Sequence, residues 1–116
     1  MQFVLMCCFN EDRWQQLPAT ERDRVMGEYK AWIETAKAAG QHVNTIKLQA
    51  SGKAATVRLQ NGDPLITDGP FAETREQIGG VHVVDCENLD EAVALARRIP
   101  TLPVGGTIEV RPVESY

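Results

Sequence analysis

The chain has 116 residues, 43% of them hydrophobic, and a formal net charge of −4, enough apolar material for one domain with its own core. The acidic balance argues against a nucleic-acid partner or an anionic membrane surface, both of which call for basic patches. No apolar run approaches the roughly 20 residues that cross a bilayer.

Gln2–Phe9 is apolar on both sides, with Phe3, Leu5, Cys7 and Phe9 on one and Val4, Met6 and Cys8 on the other. That is the pattern of a strand covered on both faces. Cys7 and Cys8 therefore point in opposite directions and read as small core residues. Three cysteines without Cys-x-x-Cys or zinc spacing fit reduced thiols, and with no basic leader ahead of the first strand the expected location is the cytoplasm. Glycine loops of the phosphate- or dinucleotide-binding types are missing too, so neither a metal nor a cofactor is expected.

Residues 10–17 read as a polar connection with Trp14 as its one large apolar side chain. Thr20 is the expected N-cap of a long helix, with Val25, Tyr29, Trp32, Ile33 and Ala36 at helical spacing and Gly40 placed to end it. A strand over residues 42–48 follows, with His42 expected at the surface, then a loop over residues 49–53. Runs at residues 54–60 and 65–67 flank Asn61-Gly62-Asp63-Pro64, a hairpin signature in which Pro64 marks the returning strand as an edge.

The next stretch, Thr67-Asp68-Gly69-Pro70-Phe71-Ala72-Glu73-Thr74-Arg75-Glu76-Gln77-Ile78-Gly79-Gly80, is polar and turn-rich. Asp68 is placed to accept backbone hydrogen bonds, Pro70 biases Gly69 towards extended backbone, and Pro70 itself suits the start of a short helical turn. Gly79-Gly80 permits a close backbone approach or a positive φ. The plain reading is a well-made connection between strands; the other, because loops held by rigid scaffolds carry functional groups, makes Asp68 a candidate carboxylate at a pocket. Residues 78–86 read as a strand with Val81, Val83 and Asp85 on one face and His82, Val84 and Cys86 on the other. A histidine held by a carboxylate is a general base near neutral pH; His82 is that candidate, against the plainer reading of a satisfied core histidine. Asn88 caps a second helix with Glu91 three residues on, an apolar face of Leu89, Ala92, Val93, Ala96 and Ile99, and a stop at Pro100. Residues 107–113 form the last strand.

This order predicts an α+β, ferredoxin-like domain, a mainly antiparallel sheet with two helices on one face. Several strands are apolar on both sides, so a second copy is expected to cover the other face in a two-fold homodimer. Arg58, Glu109 and Arg111 are expected to project from that open face, as anchors for a ligand or as ion pairs with one another. The open face of the strand fed by the Asp68 loop is also one place for His82.

The Thr67 to Gly80 segment closely resembles the signature of the bacterial DGPF family within the YCII-related superfamily. The likeness runs on through residues 1–9, Ala38-Ala39-Gly40, Thr56-Val57-Arg58, Asn88-Leu89-Asp90-Glu91-Ala92 and Ile108-Glu109-Val110-Arg111-Pro112-Val113, nearly the whole chain. The resemblance implies a dimeric α+β barrel in the bacterial cytoplasm and, for some relatives, a gene beside an extracytoplasmic-function sigma factor. It also implies a proposed His/Asp pair at a pocket in the sheet, and one branch dehydrochlorinates a chlorinated aromatic. The aspartate of that pair corresponds to Asp68. Where this chain has Val81-His82, family members usually have aromatic or aliphatic residues, so the resemblance does not carry His82. Two expectations follow. One is a non-catalytic homodimer that binds a small anionic or aromatic metabolite, or a regulatory partner such as a sigma factor. The other is a lyase or isomerase in which Asp68, with His82, moves a proton while Arg58, Arg111, Glu109 and Glu73 hold the ligand.

Overall fold

In the computed structural model, which describes residues 1–72 and 75–115, β1 (Gln2–Phe9) runs through the middle of a four-stranded antiparallel sheet. It lies between β5 (Gln77–Asp85) and β6 (Thr107–Pro112), with β2 (His42–Lys47) at the edge beyond β5. Alternation sends Phe3, Leu5 and Cys7 to one side, and the register sets Val84, His82 and Gly80 opposite them. On β6, Val110 and Ile108 face the same way. This side is covered by α2 (Ala19–Ala38) and α3 (Leu89–Ala96), whose buried residues join Phe3 and Leu5 in one core. The Trp32 indole N–H donates to the Leu95 carbonyl at 3.0 Å and ties the helices together. The architecture is the α+β, ferredoxin-like one read from the pattern of elements.

Local chemistry departs from the expectations in four places. Residues 10–17 contain a helix, α1 (Glu11–Gln16): the Asn10 side chain accepts from the Arg13 N–H at 3.0 Å, and Glu11 and Asp12 supply first-turn negative charge. In α2 the N-cap position belongs to Pro18, whose carbonyl accepts from Glu21 and Arg22, so Thr20 sits inside the first turn. The buried stripe of α3 is Ala92, Leu95 and Ala96, continued by Ile99. Leu89 and Val93 lie on a turned-out stripe and are 47% and 39% exposed. Gly69 has a φ of 96° rather than extended backbone, and among the described residues Pro70, Phe71 and Ala72 are not helical.

The hairpin of β3 (Ala55–Gln60) and β4 (Asp63–Asp68) is a separate two-stranded sheet. It turns on Asn61 and Gly62, whose φ values of 52° and 84° supply the left-handed pair that a tight two-residue turn requires. Pro64 faces Leu59 in the register, and without a third strand its missing N–H breaks no further ladder. Because the hairpin stands off the body, the radius of gyration is 16.1 Å against about 13 Å for a compact chain of this length. The short axis of 18 Å is one sheet plus one helical layer. Val4, Met6, Val81 and Val83 therefore lie on a sheet face that no second layer of this chain covers among the described residues. Among those residues no helix is long and apolar enough to cross a membrane.

Candidate functional site

Among the described residues His82 is the one polar side chain in the buried core, 1% exposed. Its position follows from strand alternation: with Gly80 and Val84 it faces the helices, not the open face suggested by its neighbourhood to the Asp68 loop. The helical spacing of α2 lays two rings beside it, Trp32 at 4.8 Å and Tyr29 at 5.4 Å between centroids. The Tyr29 hydroxyl hydrogen-bonds Nε2. Thr45 lies directly opposite on β2, and its hydroxyl is 2.8 Å from Nδ1. Burial, helped by the nearby His42, lowers the His82 pKa to about 4, so the imidazole is neutral at pH 7.

The hydrogen bonds continue in both directions. Tyr29 is 3.1 Å from the Cys7 sulfur, and Thr45 is 2.7 Å from Nε2 of the half-buried His42 at the sheet edge. Cys7, Tyr29, His82, Thr45 and His42 thus form one unbroken polar chain across the helix-facing side of the sheet. Burial is the main cause that raises both the Cys7 thiol and the Tyr29 phenol above their ordinary values.

Beside this chain lies a cavity of about 180 Å³. Its floor exists because Gly80, level with Cys7 on β1 and Lys47 on β2, brings no side chain to the helix-facing side. Its walls are mostly apolar, with Phe9, Trp14, Met26, Ile33 and Val104 among them. Phe9 lies over Gly79, where a Cβ would collide with its ring, and meets Trp14 edge-on at 6.3 Å. α1 thereby closes one side of the cavity. It is held in place by Glu11, whose carboxylate accepts from the N–H (2.9 Å) and the hydroxyl of Ser51. Lys47, exposed at the rim, is the one charged side chain in the lining among the described residues.

A family model for the YCII-related domain matches residues 1–116. An uncharacterised protein of Rhizobium meliloti (strain 1021) is 35% identical over 117 residues, covering 100% of this chain and 94% of that protein. The chain belongs to the YCII-related family.

In this YCII-related domain the candidate site residues from the sequence occupy three separate places. Asp68 ends β4 opposite Ala55, is exposed, and belongs to a different sheet from His82. Both ring nitrogens of His82 engage hydroxyls, so no carboxylate orients it. Glu109 and Arg111 do project from the open face of β6, where they pair with each other at 2.7 Å. Arg58 is not on that face: it sits on the hairpin, with its guanidinium 5.6 Å from the centre of the Phe71 ring. Glu73 lies outside the described residues. Next to the Asp-Gly-Pro turn there is a shallow, more open groove of about 470 Å³ lined by Glu11, Ser51, Pro70 and Arg75. Asp68 does not line it. The turn is held internally, with Gly69 N–H donating to Ala54 and the Thr56 hydroxyl donating to the Gly69 carbonyl.

Sequence reasoning placed Cys7 and Tyr29 in the core, His42 at the surface, and gave Thr45 no role. The signal for Tyr29 is a phenol in an otherwise apolar stripe, which needs a buried partner. The partnership of Thr45 with His82 depends on β2–β5 register, which the local pattern does not contain.

Proposed function

We propose that this YCII-related domain is a cytoplasmic homodimer that binds a compact, uncharged, largely apolar molecule in the cavity between α1, α2 and the sheet. The cavity carries the reading. At about 180 Å³ it exceeds the dry apolar cavity of about 150 Å³ that holds a benzene ring. Its apolar lining and few convergent polar groups match the usual make-up of small-molecule sites. An uncharged occupant is favoured over an anion because His82 is neutral and Lys47 lies at the rim, so the interior offers no cation. Binding is favoured over acid–base turnover because both His82 nitrogens are already engaged. The dimer is supported by the uncovered face of Val4, Met6, Val81 and Val83, a surface suited to a two-fold partner. The cytoplasmic assignment is supported by three free cysteines.

The test is a thermal-shift and Trp fluorescence titration with toluene, phenol and benzoate on wild type and Gly80→Val. Toluene and phenol are expected to raise the melting temperature by a few degrees at about ten times Kd, equivalent to about 1.4 kcal/mol, and to perturb Trp14. Benzoate is expected to do neither. A side chain at Gly80 fills the floor and should abolish the response; its Cβ would lie 3.1 Å from the Ile46 carbonyl oxygen, a contact the edge strand must absorb. Stronger binding of benzoate, or an unchanged response in Gly80→Val, refutes the reading.

A further inference from the structure

We propose that Cys7 is a nucleophile that captures a compact, uncharged α,β-unsaturated carbonyl compound in this cavity, its proton passing through Tyr29, His82 and Thr45 to His42. The proposal rests on the reading of the cavity as a small-molecule site. Cys7 lines the cavity, and its sulfur is the inner end of the polar chain. Each of the three intermediate groups can donate one hydrogen bond while accepting another. The chain therefore has a consistent direction. The relay uses the direction in which the thiol donates to the Tyr29 oxygen, Tyr29 to His82 Nε2, His82 Nδ1–H to Thr45, and Thr45 to His42 Nε2, across contacts in which either partner can be the donor.

When every proton in that chain moves one bond outward, Cys7 becomes a thiolate and His42 an imidazolium, while Tyr29, His82 and Thr45 stay neutral. Charge appears only at the two ends: on the reacting sulfur and at the half-buried sheet edge, where water can solvate it. This suits the site, because burial disfavours both a standing thiolate and a charged His82 there. Proton departure is then concerted with attack, the logic of a nucleophile joined to a distant base. The sulfur lone pair forms a C–S bond to the β-carbon, and the C=C pair moves to the α-carbon and carbonyl oxygen as an enolate. The α-carbon then takes a proton from water, and His42 returns the thiol proton to water. The thiol adds across the double bond with no oxidant or reductant. Cys8, on the opposite face of β1, and Cys86, buried away from the cavity lining, lack this arrangement.

The test uses N-ethylmaleimide on the folded full chain, with labelling of each cysteine followed by peptide mass mapping. Cys7 is expected to react about tenfold or more faster than Cys86, and His42→Ala to slow Cys7 by a similar factor while leaving Cys8 and Cys86 unchanged. Added imidazole should restore part of the loss. Because His42 does not line the cavity, a purely steric account predicts no change in Cys7, and general loosening predicts faster labelling of Cys86 as well. An unlabelled Cys7, or a Cys7 rate indifferent to His42→Ala, overturns the proposal. Saturated N-ethylsuccinimide, which cannot react, separates the two readings. If it enters and perturbs Trp14 while Cys7 stays unlabelled, nucleophilic capture fails and small-molecule binding stands. If neither compound enters, both fail.

Discussion

Lowering the pH from 7 to 4.5 perturbs the folded chain at His82 in a way that can be sized. The imidazole is 1% exposed, and burial with the nearby His42 lowers its pKa to about 4, against about 6.5 in an unfolded chain. Between those values the unfolded state binds a proton that the native state refuses. Stability from this group is thus full above about pH 6.5 and is lost as the pH falls towards 4. The shift corresponds to about 3 kcal/mol in all, of which about 2 kcal/mol is lost by pH 4.5. Urea unfolding followed by Trp fluorescence at pH 7 and 4.5, for wild type and His82→Gln, isolates it. Carboxylates titrating in the same range act in both proteins and cancel in the double difference. The variant, less stable at pH 7, should lose about 2 kcal/mol less than wild type on acidification. Equal losses in the two proteins refute the reasoning, because His82 then takes a proton as readily in the fold as in the unfolded chain.

Gly79→Ala drives a Cβ into collision with Cε1 at the edge of the Phe9 ring, so the ring must leave its seat; about 1–3 kcal/mol of stability should go with it, together with a shifted Trp14 emission. Unchanged emission and melting temperature would count against this packing. Met6→Glu puts a charge on the uncovered sheet face opposite Val81 and should convert the proposed dimer to a monomer in sedimentation velocity, with the core spectra intact. A wild-type chain that sediments as a monomer at micromolar concentration removes the basis of that prediction.

Much of the fold was legible because its signals are local. The two-sided apolar run of β1, the stripe Val25-Tyr29-Trp32-Ala36 and the Asn61-Gly62 turn each state a geometry within a few residues. The misses are local competitions as well. Asn10 with Glu11 and Asp12 is a good helix start, yet six residues give too little apolar period to distinguish a helix from a loop. On α3, Leu89 and Val93 outrank Ala92 and Ala96 in hydrophobicity, but small residues are what allow the helix backbone to approach β1 and β6 closely.

The candidate site was harder to read because its parts are far apart in the chain and each one has a sufficient local explanation. Cys7 passes for core, Tyr29 for a helix stripe, Thr45 for an edge-strand residue and Gly80 for a loop exit. Only the registers that set Gly80 between Cys7 and Lys47, and His82 between Leu5 and Thr45, turn them into a cavity with a polar seam. The conspicuous Asp-Gly-Pro turn works the other way. Its chemistry is concentrated in sequence, but Gly69 closes on Ala54 and Thr56 within the hairpin. A turn with those internal demands requires a glycine that tolerates a φ of 96°, whether or not a ligand is ever near. Substituting Gly69 should therefore damage hairpin geometry first, and a loss of cavity binding in such a variant would not assign Asp68 a chemical role. The discriminating substitution is at Asp68 itself: Asp68→Asn should leave toluene binding and Cys7 labelling unchanged if the cavity is the site, and a large effect on either would move the chemistry back to the turn.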